Sequence, residues 1–442
     1  MKKTRKGFAL LIAFILVAGV LSACGSKNEN SGNGNAGAAN GGEKVKLRMI
    51  ESLTSPKRTE LLNAMIGKFE DANPNISVEL ISPPLDQADN KIRTMLAAKE
   101  DIDILEVRDL NIAEYVNNDY IAPLNEYADA WSDYATVGAV PKSLGSLGDK
   151  LYFVPNGLYE RQMYYRADWF KEAGLEAPKT WQELYETSKK LTDASKNRYG
   201  FSFRGGPGSN GNSDAMVLTY NADNVNLDDS MFLKDGSSIF SSPAAKDAMD
   251  LYVKLYKEAS PPDSINWGFQ EQVQSFTSGV TAILLQDPDV IQSLQEKMEE
   301  GTWATAPMPT GPSGKALIAA GGAGWGIASF SEHKEEAWKL IAFLSNPEQN
   351  TAFSKDYGLI PIHTSATEDE FFKTGPYKTL IDASNMPETF VNYKPAFQYP
   401  GTGQWSQVSM ESQQSLLLGQ TTVEDTLKKW NDFWVDQKSK LK

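Results

Sequence analysis

The chain has 442 residues, 57 Asp and Glu against 43 Lys and Arg, a formal charge of −14, and a single cysteine. So acidic a surface repels phosphate backbones, which excludes nucleic acid as the natural partner. One cysteine excludes an intrachain disulfide, and two histidines, His333 and His363, stand thirty residues apart with no second ligand at metal spacing, which argues against a zinc centre.

The first element is a leader. MKKTRK supplies charge, GFALLIAFILVAGV supplies an apolar run, and Ser22 and Ala23 supply the small residues of a cleavage site, so residues 1–23 read as a secretory signal. The apolar run is shorter than the ~20 residues a spanning helix needs. LSACG, Leu21 to Gly25, resembles the lipobox of bacterial lipoproteins. That resemblance implies that Cys24 becomes the first residue and carries a diacylglycerol, whose buried methylenes hold a domain at a membrane at ~0.8 kcal/mol each. Removing the leader's Lys2, Lys3, Arg5 and Lys6 takes the formal charge from −14 to −18. Residues 24–43, rich in Gly, Asn, Ser and Ala, read as a flexible tether. Roughly 400 residues follow, enough for two domains.

From Lys44 the pattern alternates. VKLRMI predicts a strand and SPKRTELLNAMIGKFEDANP a helix, with Ser55 as cap, Pro56 at the first position, and Leu61, Leu62, Met65, Ile66 and Phe69 at three- and four-residue steps. NISVELI predicts a strand, NKIRTMLAAKE a helix, DIDILEV a strand and NIAEYVNNDYI a helix. Such alternation predicts a mostly parallel sheet with helices on both faces. A second α/β region opens at MYYRADWFKEAGLEAPKTWQELYETSKKL, with Gly174 as a left-handed cap and Thr180 and Glu183 as a capping box. RGGPGSNGN, Arg204 to Asn212, lacks the register of a dinucleotide site and reads as a mobile loop. Later, Ala337, Leu340, Ile341 and Leu344 share a helical face, Asn346 and Pro347 start another helix, and Val423, Leu427, Trp430 and Trp434 form the stripe of a docked C-terminal helix.

Catalytic signatures are missing. There is no G-x-S-x-G elbow and no Gly-Lys-Ser/Thr phosphate loop, no spacing selects a glycosidase carboxylate pair, and no catalytic residue, metal or cofactor is expected. The positive signal is aromatic, with ten Trp and seventeen Tyr. Trp169, Trp181, Trp303 and Trp338 fall at packing positions, whereas Trp267, Trp325, Tyr399 and Trp405 sit in loop-like contexts suited to stacking on a sugar ring.

YYRADWFKEAGLEAPKTWQEL, preceded by YFVPNGL, resembles the signature of the extracellular solute-binding proteins of carbohydrate ABC importers. GGAGWGIASFSEHKEEAWKLIAFLSNPEQ, GLIPIHTS and SQVSMESQQSLLLGQTTVEDTLKKW are similar to the family's later segments. The resemblance implies an α/β, two-lobe periplasmic-binding-protein-like fold, hinged around a ligand cleft. Lobe one would take 44–159 and 318–363, lobe two 160–317 and 364–442. It also implies a carbohydrate ligand, an ABC permease partner and a lipid-anchored place on the outer face of the cell membrane; nothing suggests other than a monomer.

Carrying the family's binding positions over implies Glu51, Arg108, Asp109, Tyr159 and Arg204 as ligand contacts. Glu51 reads equally as a surface acid, Arg204 as a solvated arginine, and Arg108 with Asp109 as a structural pair. The family's Gly-x-Trp after GVTAILL is replaced by QDPDV, so that either Asp287 bonds hydroxyls where the family stacks or the second lobe holds its sugar differently. A receptor of the same fold for another solute, or for sensing, and a secreted glycoside-active enzyme are the alternatives.

Overall fold

The computed structural model describes residues 44–441. The leader, Cys24 and the tether lie outside the described residues.

The first helix, Pro56–Ala72, begins where Ser55 Oγ accepts from the Arg58 amide at 3.3 Å, and it buries Leu62, Met65, Ile66 and Phe69. Burying each such side chain stabilises the fold by about 1.5–3 kcal/mol. These residues pack under a five-stranded sheet in the order Ile76–Ile81, Val45–Ile50, Ile104–Arg108, Gly321–Ile327, Val154–Tyr159. The first three strands are parallel; Gly321–Ile327 runs antiparallel to both neighbours. A four-stranded sheet follows, ordered Ala304–Ala306, Gln162–Tyr165, Thr281–Gln286, Tyr199–Phe201, in which only the last pair is parallel. Both sheets are therefore mixed, where the alternation predicted a mostly parallel one. Each has its own core: Leu47, Ile104, Trp325 and Leu340 in the first, Met163, Trp181, Phe201 and Trp430 in the second.

The glycine-rich segment GGAGWGI, expected as a loop, is an inner strand. A side chain at Gly324 would run into the Val154 carbonyl and Pro155 Cα, and a bulge falls between Ala323 and Gly324. Glycine is needed there because the neighbouring backbone approaches too closely for a Cβ.

Smaller expectations hold with adjustments. Gly174 closes its helix at φ 63°. Thr180 Oγ1 accepts from the Glu183 amide at 3.1 Å, but Glu183 Oε2 reaches back to Lys179 N at 2.7 Å, one residue upstream of the expected box. The C-terminal helix Val423–Ser439 docks through Leu427, Trp430 and Trp434.

The chain passes from sheet to sheet with little slack. Tyr159 ends a strand of the first sheet and Gln162 begins one of the second, so Glu160 and Arg161 alone connect them. On the return, Ile318 ends a short strand and Gly321 begins the inner one. Phe397, beyond the second sheet, packs against the first sheet's Ile92 and Tyr115 core.

Candidate functional site

Side chains at the ends of strands meet between the two sheets. On the first sheet, Ile50 leads to Glu51, Arg108 to Asp109, and Val154–Tyr159 ends on its tyrosine. On the second, Gln286 leads to Asp287, and Phe201 leads to Arg204. Parallel strands turn their carboxyl ends to the same side, which brings side chains from separate stretches to one edge.

Glu51 does not face a ligand. It is fully buried; its Oε2 accepts from Arg58 Nη1 at 2.8 Å and its Oε1 from Thr59 Oγ1 at 2.5 Å. The other arm of Arg58 bonds Glu106 Oε1, which also accepts from Asn156 Nδ2 at 2.6 Å. Glu106 Oε2 accepts from the amides of Ser52 at 2.7 Å and Leu53 at 3.0 Å. Burial works against the Arg58 charge, but attraction to Glu106 and Glu51 outweighs it and raises its pKa. The guanidinium carbon lies 5.7 Å from the ring centres of Trp325 and Phe353. This is a buried structural network in which every oxygen of Glu51 and Glu106 has a donor, while Arg58 Nε and Asn156 Oδ1 have no partner among the described residues.

Arg108 pairs with Asp89, Nη1 to Oδ2 at 2.8 Å, and not with Asp109. Asp109 accepts from its neighbour Leu110 N at 2.7 Å and from Gly322 N at 2.5 Å. Burial pushes its carboxyl up to about 6; the Gly322 amide and Arg108 oppose the rise and Asp287, across from it, adds to it. The Tyr159 hydroxyl is buried with no hydrogen-bond partner, and burial raises its pKa.

On the facing side Arg161 donates from Nη1 to Asn212 Oδ1 at 2.8 Å, and its Nε stands 3.8 Å from Asp287 Oδ1. Arg204 donates from Nε to the Pro207 carbonyl at 2.6 Å. Burial, and then the neighbouring Arg161, bring the Arg204 guanidinium down to about 10. Asp289 Oδ1 is buried without a partner, and burial followed by Asp287 pushes that carboxyl up to about 8. Trp267, half-buried, donates to Asp263 Oδ2 at 3.3 Å and accepts through its carbonyl from Gly206 N at 2.9 Å. A groove of about 200 Å³ opens beside it, lined by Pro84 and Asp86 from the first side and Pro207, Asn266 and Gly268 from the second.

Three expected stacking aromatics are core residues instead. Trp325 is 2% exposed within the inner strand, its flanking glycines serving close strand approach and not display. Tyr399 is 1% exposed with its hydroxyl on Asp229 at 3.0 Å. Trp405 is 3% exposed on the helix Thr402–Leu417, donating to Asp214 Oδ2 at 2.7 Å and packed against Phe240, Trp430 and Trp434. Nor is the glycine-rich segment all loop: the helix Asn210–Tyr220 starts inside it.

The structure thus brings Arg108, Asp109, Tyr159, Arg204 and Asp287 together, whereas Trp267 contacts Asp263 and the Gly206 amide instead of these residues. Arg161 and Asp289 were missed. A charged Glu160–Arg161 pair interrupting an otherwise apolar run, and the second aspartate of QDPDV, were the available signals. Among the described residues no group of His, Cys, Asp and Glu could hold a metal, and no helix is long and apolar enough to cross a membrane. His363 is buried between Thr136 Oγ1 and the Ser345 carbonyl, each at 2.7 Å, and burial lowers its pKa.

The chain matches the model of the bacterial extracellular solute-binding proteins over residues 55–351. A binding protein of Brucella abortus (strain 2308) is 24% identical over 402 residues, 89% of this chain and 92% of the relative. Among solved structures, maltose-bound MalE3 of T. maritima has a TM-score of 0.77 at 23% identity, covering 90% of this chain and 100% of its own. Lmo0181 from Listeria monocytogenes, in complex with cycloalternan, has a TM-score of 0.75 at 20% identity, covering 88% and 98%. Fold and site therefore define an α/β binding protein of the periplasmic type, with two mixed sheets and flanking helices. The chain belongs to the bacterial extracellular solute-binding protein family, a non-enzymatic component of ABC transport.

Proposed function

We propose that this protein is a lipid-anchored receptor that captures a carbohydrate of oligosaccharide length between its two sheets and delivers it to an ABC permease. The observation that carries this reading is the convergence of Asp109, Tyr159, Arg161, Arg204, Asp287 and Asp289, whose Tyr159 hydroxyl and Asp289 Oδ1 have no partner among the described residues. Sugar hydroxyls donate and accept at once, and so satisfy such a mixed set. The maltose and cycloalternan complexes of its structural neighbours support the same class. Trp267, whose chain neighbours Asn266 and Gly268 line the groove together with Phe269, is the half-buried aromatic assigned to stack in this reading.

The sheets, with their own cores, act as lobes 44–159 with 318–363 and 160–317 with 364–442. They close on a ligand that touches both, because only differential affinity for the closed state shifts the balance. Cys24 carries the lipid and the protein works as a monomer.

A thermal-shift screen of the purified protein against mono- and oligosaccharides tests the reading. A bound sugar at a hundredfold excess over Kd adds about 2.7 kcal/mol to stability. A shift with the sugar recovered intact is expected; no shift with any sugar overturns it. Labelled palmitate incorporated by the native chain, and not by Cys24→Ser, is expected for the anchor.

A further inference from the structure

Arg161 and Arg204 are seated by the glycine-rich segment itself. A side chain at Gly208, where φ is +80°, would occupy the place of the Arg204 guanidinium; one at Gly211 would occupy that of Arg161. Gly208 therefore meets two demands, a left-handed backbone and room for a planar cation. Gly211 lies in the first turn of the helix Asn210–Tyr220, whose N-cap Ser209 makes no side-chain cap bond. The segment RGGPGSNGN is thus a rack that holds two guanidinium groups as neighbours.

That arrangement is compensated only at a distance: Asp287 and Asp289 lie near enough to favour the Arg204 charge without closing an ion pair on it. Arg204 makes its hydrogen bond to a carbonyl, Pro207 O, and among the described residues no carboxylate forms an ion pair with it. Arg161 donates to the Asn212 amide oxygen at 2.8 Å, and its one carboxylate contact among the described residues is the long 3.8 Å approach to Asp287. Like charges held together, half-buried, raise each other's energy, which is the second cause of the lowered Arg204 pKa. Arg108 lies near enough to add to the effect, but its own charge is engaged by Asp89.

From this geometry we infer that Arg161 and Arg204 form a subsite for a carboxylate, and that the ligand is an acidic sugar, one bearing a uronate group. The inference rests on the receptor reading and narrows its substrate class. A simple anion would be repelled by Asp109 and Asp287 beside the pair. A uronate instead offers its carboxylate to the guanidinium forks and its hydroxyls to the side-chain oxygens of Asp109, Asp287 and Asp289. Both halves of the site are satisfied by one molecule.

The test compares sugars that differ only in the carboxylate: galacturonate with galactose, glucuronate with glucose, and digalacturonate with galactobiose, by calorimetry on the purified protein. The acid is expected to bind about tenfold or more tightly than its neutral partner, as charge-assisted hydrogen bonds give. Arg204→Gln should bring that ratio near unity and Arg204→Lys should retain part of it, each at unchanged thermal unfolding. Added salt should weaken the acid and spare the neutral sugar. A neutral or amino sugar bound as well as or better than the acid overturns the inference and leaves the receptor reading standing. Inorganic phosphate binding as tightly as the uronate also overturns it, and binding of no sugar at all removes both.

Discussion

Two charged clusters built from the same residue types lie within this protein, and they differ in closure. Around Arg58 every carboxylate oxygen of Glu51 and Glu106 accepts from an arginine arm, a hydroxyl, an amide side chain or a backbone N–H. Around Arg161 and Arg204 the contacts are long, point to carbonyls, or are missing, as at Asp289 Oδ1. Burial alone does not separate structure from function, since both clusters are withdrawn from water. In the first cluster the carboxylates are matched and only Arg58 Nε and Asn156 Oδ1 lack a partner among the described residues; the second, whose carboxylates and guanidinium groups meet loosely, is the one proposed to take up a ligand.

The strongest way to break the first cluster is Arg58→Met, which leaves Glu51 and Glu106 without their cation. A loss of about 3–5 kcal/mol in urea unfolding is expected. Next comes Trp405→Phe, which removes the donor from Asp214 in a buried place. It should cost about 1–3 kcal/mol of stability and leave sugar affinity unchanged in calorimetry, sharpening the division between packing and binding aromatics. In the open cluster, Asp287→Asn should weaken the bound sugar about tenfold while unfolding stays within about 0.5 kcal/mol of the parent.

A further effect, spread over the open cluster and the packed aromatics, is a slope with pH. Asp109, Asp214 and Asp289 have folded-state values raised from 3.8 to about 6, about 7 and about 8. The stability tied to each is fully present below the ordinary carboxylate value and is lost as pH rises through the raised one. The ligand-free protein should therefore melt at a lower temperature at about pH 9 than at about pH 5, and Asp289→Asn should flatten part of that slope.

The early elements were legible because period and caps agree: Ser55, Pro56 and the apolar spacing after them define a helix without tertiary help. The inner strand was illegible because its glycines answer to the Val154 backbone across the sheet, and no local pattern reports a neighbour 170 residues away. The same holds for the aromatics. Trp405 reads as a loop residue next to Pro400 and Gly401, and only the packed Phe240, Trp430 and Trp434 make it core. The position of Asp109 at a strand end was legible because the strand before it could be placed. Arg161 was not, because its role depends on Gly211 and Asn212, fifty residues on.

The two-residue passage from Tyr159 to Gln162 has a mechanical consequence. If the halves turn about that passage, as the proposed function has it, an arginine there lies close to the axis and a force on it has almost no lever arm, whereas a pull on Arg204 and Asp109, farther along each half, produces torque. On that proposal Arg161 would hold a ligand alike in open and shut forms, and Arg204 and Asp109 would drive the swing.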